Sequence, residues 1–121
     1  LIMYYPALCI PDDSRHGCVI GTKIDPNNVP DSFHGVFVKL GKKYVEDART
    51  LDPYEQICTF KKPVLIIHGI EDKLVKIEYS RKAIERYENC ELIEVHGDHG
   101  FILKGFIAGK KATEKYLSDL N

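Results

Sequence analysis

The sequence predicts an α/β fold built around a parallel sheet. Two short apolar runs, "PVLIIHG" (63–69) and "ELIEV" (91–95), are each followed by a segment of helical periodicity. A continuous apolar run that ends in glycine is typical of a strand buried on both faces, as in a parallel sheet. A third apolar run, "LIMYYPA" (1–7), supplies another strand at the N-terminus. Because strands and helices alternate through short connections, we expect the strands to be parallel neighbours.

Two amphipathic helices follow these strands. Along 77–89, apolar and small residues recur on one side of a helix and charged residues occupy the other side. The inward residues of this helix are Ile77, Ser80, Ala83, Ile84 and Tyr87. In the closing helix, 109–120, the predicted inward residues are Ala112, Tyr116, Leu117 and Leu120. The stretch 9–60 is less regular and rich in turn signals, with "CVIGTKI" predicted as a short strand and "KLGKKYVEDARTL" as a helix.

Composition and charge argue against several classes of function. The 121 residues carry 17 basic and 18 acidic side chains, a net charge of −1, which gives no electrostatic case for binding nucleic acid or an anionic membrane. No apolar run approaches the roughly 20 residues that a membrane-spanning helix needs. The four cysteines stand singly, without a C-x-x-C motif, and are expected to be free thiols of a reducing compartment. We therefore expect a cytoplasmic protein, although the chain begins at Leu1 as though cut from something longer, so a signal peptide could precede it.

Acidic and histidine side chains follow two neighbouring strands of the predicted sheet. Glu71 and Asp72 come after the 63–69 run, and "HGDHGF", with His96 and His99, follows the 91–95 run. Ligands and catalytic groups of open α/β sheets collect at the carboxyl ends of the strands, and neighbouring strands lie about 5 Å apart. An acid on the first loop can therefore reach a histidine on the second. Such a pair is the orienting half of a hydrolytic triad, in which the carboxylate fixes the tautomer of the imidazole.

The segment "KPVLIIHGIEDKLVKIEYSRKAIERYENCELIEVHGDHGF" resembles the C-terminal third of a bacterial α/β-hydrolase. The shared pattern is a buried strand, H-G-x-x-D-x-x-V, a helix containing Y-S, a second strand and x-D-H-G-F. Residues 9–60 resemble the cap insertion of the cinnamoyl or feruloyl esterase-like members. The resemblance thus implies a partial α/β-hydrolase fold, the last three parallel strands with flanking helices plus a cap. Residues 1–8 would form a core strand, 9–60 the cap, and 61–121 the C-terminal α/β core.

By this resemblance Asp72 is the triad acid and His99 the general base of a serine ester hydrolase acting on a small-molecule ester, with no metal or organic cofactor. The nucleophile elbow G-x-S-x-G of this fold occurs nowhere in the chain. The four serines are Ser14, Ser32, Ser80 and Ser118, and none stands in that motif. The chain alone is therefore expected to be inactive. Tyr44 and Tyr54, in the cap, could face a substrate ring, although aromatic residues in helices are more often core.

Other interpretations remain open for the same residues. His96 and His99 could be metal ligands, but no third residue stands at zinc-like spacing. Asp72 could serve only to cap the following turn or helix. Glu71 is interpreted as a solvated neighbour, and the side chain of His68 is assigned no part. The substrate could also be a thioester, an acyl lipid or a peptide. Finally, the chain could be a non-catalytic module that forms a homodimer through the exposed edge of strand 1–7.

Overall fold

The chain divides into two compact units. The computed structural model describes residues 1–100 and 104–120. One unit, here called the core unit, comprises Leu1–Ala7 and Pro53–Asn121, and the other, the inserted unit, comprises Leu8–Asp52. The inserted unit overlaps the cap expected at residues 9–60, whereas residues 53–60 belong to the core unit. That the inserted unit serves as a cap stays a prediction.

The helices and strands follow one another in the described residues as β1 (Ile2–Tyr4), α1 (Ile10–His16), β2 (Cys18–Val19), β3 (Thr22–Lys23), β4 (Ser32–His34), β5 (Lys39–Gly41), α2 (Lys42–Ala48), α3 (Pro53–Ile57), β6 (Val64–Gly69), α4 (Glu78–Ile84), β7 (Cys90–Val95) and α5 (Lys104–Asp119). None of the described helices is both long enough and apolar enough to cross a bilayer.

The core unit contains a three-stranded parallel sheet in the order β1-β6-β7. All six residues of the central strand β6 are buried, as its continuous apolar sequence predicts. The register pairs Tyr4 with Ile67 and Gly69 with Val95, so β6 and β7 end side by side. This placement brings the two loops that carry the predicted acid and histidine to one edge of the sheet.

Helices pack on the sheet through the small and apolar residues of their inward stripes. In α4, Ser80 and Ala83 are fully buried, as predicted. In α5, Ala112 and Tyr116 pack against the cluster formed by buried residues of β6 and β7. The prediction for the end of this helix is wrong, because Leu117 and Leu120 are about half exposed. Ala112 and Tyr116, four residues apart, occupy the stripe that faces the sheet, and Leu117 lies about 100° further round the helix.

The inserted unit has two small antiparallel hairpins, β2-β3 and β4-β5, beside two short helices. Its core is a cluster of buried residues with Tyr44 packed against it; the buried members are Val19, Val29, Phe33 and Val45. The segment "CVIGTKI", predicted as one strand, forms the β2-β3 hairpin. In the segment predicted as a helix, the residues "KLG" instead pair as strand β5 before α2 begins. Helix α1 has Pro11 in its first turn and is followed by Gly17, whose left-handed φ of 73° is the conformation that glycine favours at a helix end.

Candidate active site

The side chains of Asp72 and His99 meet at the carboxyl edge of the sheet. Nδ1 of His99 lies 2.8 Å from Oδ2 of Asp72, within the hydrogen-bond reach that the sequence predicts. The Asp72 side chain is fully buried, and the His99 side chain is about one-third exposed. Because an ionised carboxylate can only accept, Nδ1 of His99 carries the proton, and Nε2 is then the basic nitrogen of the ring.

The two oxygens of Asp72 have different partners. Oδ1 accepts hydrogen bonds from the backbone N–H groups of Leu74 (2.9 Å) and Val75 (2.8 Å). Oδ2 accepts from His99. Asp72 therefore does more than stabilise its own turn. One carboxylate oxygen accepts the hydrogen bonds that order the loop, and the other faces the imidazole. This division fixes the carboxylate in the orientation that the histidine needs.

A second histidine reaches the same carboxylate. Nε2 of His68 lies 3.2 Å from Oδ2 of Asp72, and both side chains are fully buried. The sequence interpretation assigned this side chain no part. The signal that could have identified it was a polar residue inside the apolar run of a buried strand, because a buried polar group needs hydrogen-bonding partners.

The two loops at this edge are held together by hydrogen bonds and by a close backbone approach. The N–H of Glu71 donates to the carbonyl of Gly97 (3.1 Å), and its carboxylate accepts from the N–H of Gly97 (2.5 Å) and lies 3.0 Å from Nδ1 of His96. The hydrogen bond to His96, and next that from Gly97, lower the pKa of Glu71. A Cβ atom on Gly69 would overlap the Gly97 carbonyl, so this strand end requires glycine. Glu71, interpreted as a solvated neighbour, thus links the acid loop to the histidine loop.

Tyr5 packs against the His99 ring. The two ring centroids are 4.4 Å apart, and the planes are tilted by 57°. Tyr5 has a φ of 37°, an uncommon conformation for a residue with a side chain. Gly100, directly after His99, has a φ of 102°, which favours glycine at that turn. Phe101, the last residue of the D-H-G-F motif, lies outside the described residues.

Tyr44 and Tyr54 pack within different units. Tyr44 is half-buried on the core of the inserted unit. Tyr54 is buried in the core unit, where its hydroxyl donates to the Tyr79 carbonyl (3.1 Å) and Nζ of Lys82 lies 4.2 Å from the ring centroid. These contacts account for both rings by packing, so a substrate-facing role stays a prediction.

No metal-binding cluster of three or more His, Cys, Asp or Glu side chains occurs among residues 1–100 and 104–120. The second loop histidine, His96, pairs with Glu71, while His99 pairs with Asp72. The four cysteines are free thiols; Cys18 is exposed, Cys58 and Cys90 are partly buried, and Cys9 is buried.

The fold and this edge of the sheet identify the class of protein: the chain belongs to the α/β-hydrolase superfamily and corresponds to the C-terminal half of that fold. It matches Est1E from Butyrivibrio proteoclasticus with 32% identity and a TM-score of 0.87, over 99% of this chain and 50% of that chain. A structure titled as ferulic acid bound to Est1E gives the same identity and TM-score, over 99% and 49%. The chain therefore spans about half the length of Est1E and has an esterase-type α/β-hydrolase fold.

Two more distant structures share the fold alone. The esterase domain of a Rhodothermus marinus protein is 20% identical, with a TM-score of 0.59 over 92% of this chain and 49% of that chain. The mouse alpha/beta hydrolase domain-containing protein 10 is 17% identical, with a TM-score of 0.56 over 70% and 36%. No family model matches the chain. No curated protein matches it either.

Proposed function

We propose that the core unit provides the acid and the general base of a serine ester hydrolase. The observation that carries the proposal is the 2.8 Å contact between Nδ1 of His99 and the buried Oδ2 of Asp72. In the reaction, Nε2 of His99 takes the proton of an attacking serine hydroxyl and passes it to the leaving alcohol, while Asp72 stabilises the imidazolium. The serine comes from outside these 121 residues, because none of the four serines stands in a G-x-S-x-G motif.

Esters of aromatic acids are the proposed substrate class. The support is the likeness to Est1E, one structure of which contains ferulic acid. Thioesters, acyl lipids and peptides are the competing classes. A panel of a feruloyl ester, an acyl thioester, a triglyceride and a peptide amide separates them, since each class differs in leaving group while requiring the same triad.

The test is a hybrid enzyme in which this chain is joined to the part of Est1E that it does not cover. This hybrid should hydrolyse nitrophenyl and feruloyl esters, and His99→Gln should lower kcat by several orders of magnitude because the general base is lost. His34→Gln, which removes an exposed imidazole in the inserted unit, serves as the control and should retain activity. Full activity of the His99→Gln hybrid would contradict the proposal.

The isolated chain should not turn over these esters, since it contains no nucleophile elbow. The measurement is a stopped-flow assay with a nitrophenyl ester, followed by labelling with a fluorophosphonate. A burst of nitrophenol that the fluorophosphonate blocks would show a serine nucleophile within the 121 residues and would refute this part of the proposal.

A second candidate function is self-association through strand β1. Among the described residues, β1 hydrogen-bonds to one strand only, β6. The carbonyl of Leu1 and the N–H of Tyr5 form backbone hydrogen bonds with β6. Because successive residues of a strand direct their backbone groups to alternate sides, the N–H and C=O of Ile2 point away from β6. An edge of this kind pairs readily with a second copy, and we propose a homodimer joined there.

Sedimentation analysis over the micromolar range tests the dimer. Ile2→Pro removes an outward N–H without touching a hydrogen bond to β6, and it should weaken association. Asp119→Asn, an exposed change in α5, is the control and should leave association unchanged. A strictly monomeric parent chain would refute the dimer.

A further inference from the structure

The buried histidine of strand β6 has a partner at each ring nitrogen. His68 and Ser80 both have no exposed surface. Nδ1 of His68 lies 2.6 Å from the Ser80 hydroxyl, and Nε2 lies 2.9 Å from the carbonyl of Val75 and 3.2 Å from Oδ2 of Asp72. The imidazole of His68, on β6, therefore connects Ser80 on α4 with Asp72 and Val75 in the loop after β6.

The chemistry of these partners fixes the protonation of the ring. A carbonyl oxygen can only accept, so Nε2 of His68 carries a proton. Nδ1 can then accept the hydroxyl proton of Ser80, which leaves a neutral ring with both nitrogens satisfied. The Nε2–H group points between the Val75 carbonyl and the Asp72 carboxylate. The Val75 carbonyl therefore selects the tautomer that presents a donor to the acid, and Ser80 stabilises this tautomer by donating to Nδ1.

We propose that His68, held in its Nε2–H tautomer by the Val75 carbonyl and by a hydrogen bond from Ser80, is a positioning residue that keeps the Asp72 carboxylate aimed at His99. The inference rests on the proposed function, in which Asp72 orients His99. Oδ2 of Asp72 lies between two imidazole N–H groups, and Oδ1 is held by two backbone N–H groups. The carboxylate can turn away from His99 only by losing several of these bonds together.

Substitutions at position 68 distinguish a positioning role of His68 from simple packing. Leucine at position 68 fills much of the space but offers no donor. Glutamine carries an amide N–H at about the reach of Nε2 and can still donate to Asp72. If His68 only fills space, the two variants should affect His99 alike; if it positions the acid, Gln should rescue what Leu loses.

The experiment is nuclear magnetic resonance of the 121-residue chain with labelled histidine nitrogens. The Nδ1–H proton of His99 should give a far-downfield signal that exchanges slowly with water, because it is donated to a buried carboxylate. His68→Leu should accelerate this exchange by about tenfold, the factor expected when a hydrogen bond to a charged group is lost. His68→Gln should stay within about twofold to threefold of the parent chain, since a neutral hydrogen-bond donor remains.

Ser80→Ala tests the same link without altering the imidazole, and it decides the question if His68→Leu does not fold. The nitrogen signal of Nδ1 of His68 should move toward that of an unbonded, unprotonated ring nitrogen, and exchange at His99 should accelerate severalfold. Unchanged exchange at His99 in the folded His68 and Ser80 variants would overturn the inference.

Asp72→Asn separates the inference from the proposed function. If this variant abolishes the downfield His99 signal while the His68 and Ser80 variants leave it unchanged, the positioning role is refuted and the Asp72–His99 pair stands. If Asp72→Asn leaves the His99 signal unchanged, the pair itself does not exist, and the proposed function falls together with the inference.

Discussion

Asp72→Asn replaces a carboxylate that faces four donors with an amide that can accept from only one side. The amide oxygen can take over the two backbone N–H groups of the loop, which Oδ1 now serves at 2.8 and 2.9 Å. The NH2 group then points at the N–H groups of His99 and His68, which Oδ2 now accepts. His99 can restore a hydrogen bond only by moving its proton to Nε2, and that tautomer cannot act as a base.

The size of the effect follows from these contacts. Two hydrogen bonds to a charged group are lost at a fully buried side chain, each contributing about 1.5 kcal/mol or more. We therefore expect the free energy of unfolding to fall by about 3 kcal/mol, similar to breaking a buried ion pair. In the hybrid enzyme, kcat should fall by about 10⁴-fold, as when the wrong histidine tautomer forms in a serine hydrolase triad.

Two measurements test this expectation. Urea unfolding at pH 7 gives the change in stability of the chain, and hydrolysis of a feruloyl ester gives kcat of the hybrid. Asp119→Asn, with the same charge change at an exposed position, is the matched control and should alter neither quantity appreciably. If Asp72→Asn lowers kcat by less than about tenfold, the acid does not orient the base and our reasoning is wrong.

Three further outcomes concern the loops and the thiols. Because the pKa of Glu71 is lowered, its carboxylate should stabilise the fold above the pKa of an unfolded glutamate and lose that effect as the pH falls through its folded pKa. The difference in urea stability between the parent chain and Glu71→Gln should therefore be present at pH 7 and shrink as the pH falls below the ordinary range of a glutamate. Gly69→Ala should cost roughly 2 kcal/mol in thermal or urea unfolding, because its Cβ overlaps the backbone of the neighbouring loop. At Gly100 a Cβ meets no atom of the described residues within 4 Å, so Gly100→Ala should cost only the strain of its φ, about 1 kcal/mol. Equal costs would contradict the close approach at the strand end. Burial raises the pKa of Cys90 to about 11, so at pH 8 iodoacetamide should alkylate it far more slowly than the exposed Cys18, as mass spectrometry of timed samples would show.

The parts of the fold that were predicted correctly are those fixed by local periodicity. The continuous apolar sequence of β6 predicts a buried strand, and the apolar and small residues of α4 recur with helical spacing. The hairpins of the inserted unit were missed because strands of two or three residues are too short to show a period. At the end of α5, Leu117 was predicted to be inward although it lies about 100° round the helix from the stripe of Ala112 and Tyr116. Periodicity also does not tell how far along the chain a stripe stays covered, so the exposure of Leu120 was missed.

In the candidate site, too, some contacts could be predicted from the sequence and others could not. The contact between Asp72 and His99 could be predicted because parallel strands deliver their following loops to one edge. The pairing of Glu71 with His96 could not, since both side chains are exposed and nothing in their spacing selects a partner. The side chain of His68 was assigned no part, although its place in a buried strand already required hydrogen-bonding partners nearby.

Asp72 and His99 are oriented by residues that lie close along the chain. The side chains and backbone N–H groups that fix Asp72 come from β6, the loop after it, α4 and the loop after β7, all between residues 64 and 100. The pair is therefore formed within one strand–helix–strand segment and does not depend on contacts from a nucleophile elbow. Under the proposed function, a further segment would add a serine hydroxyl near Nε2 of His99 and donors for the oxyanion. Because Asp72 and His99 are already paired within the chain, we expect the proposed hybrid to become active once its two parts dock correctly.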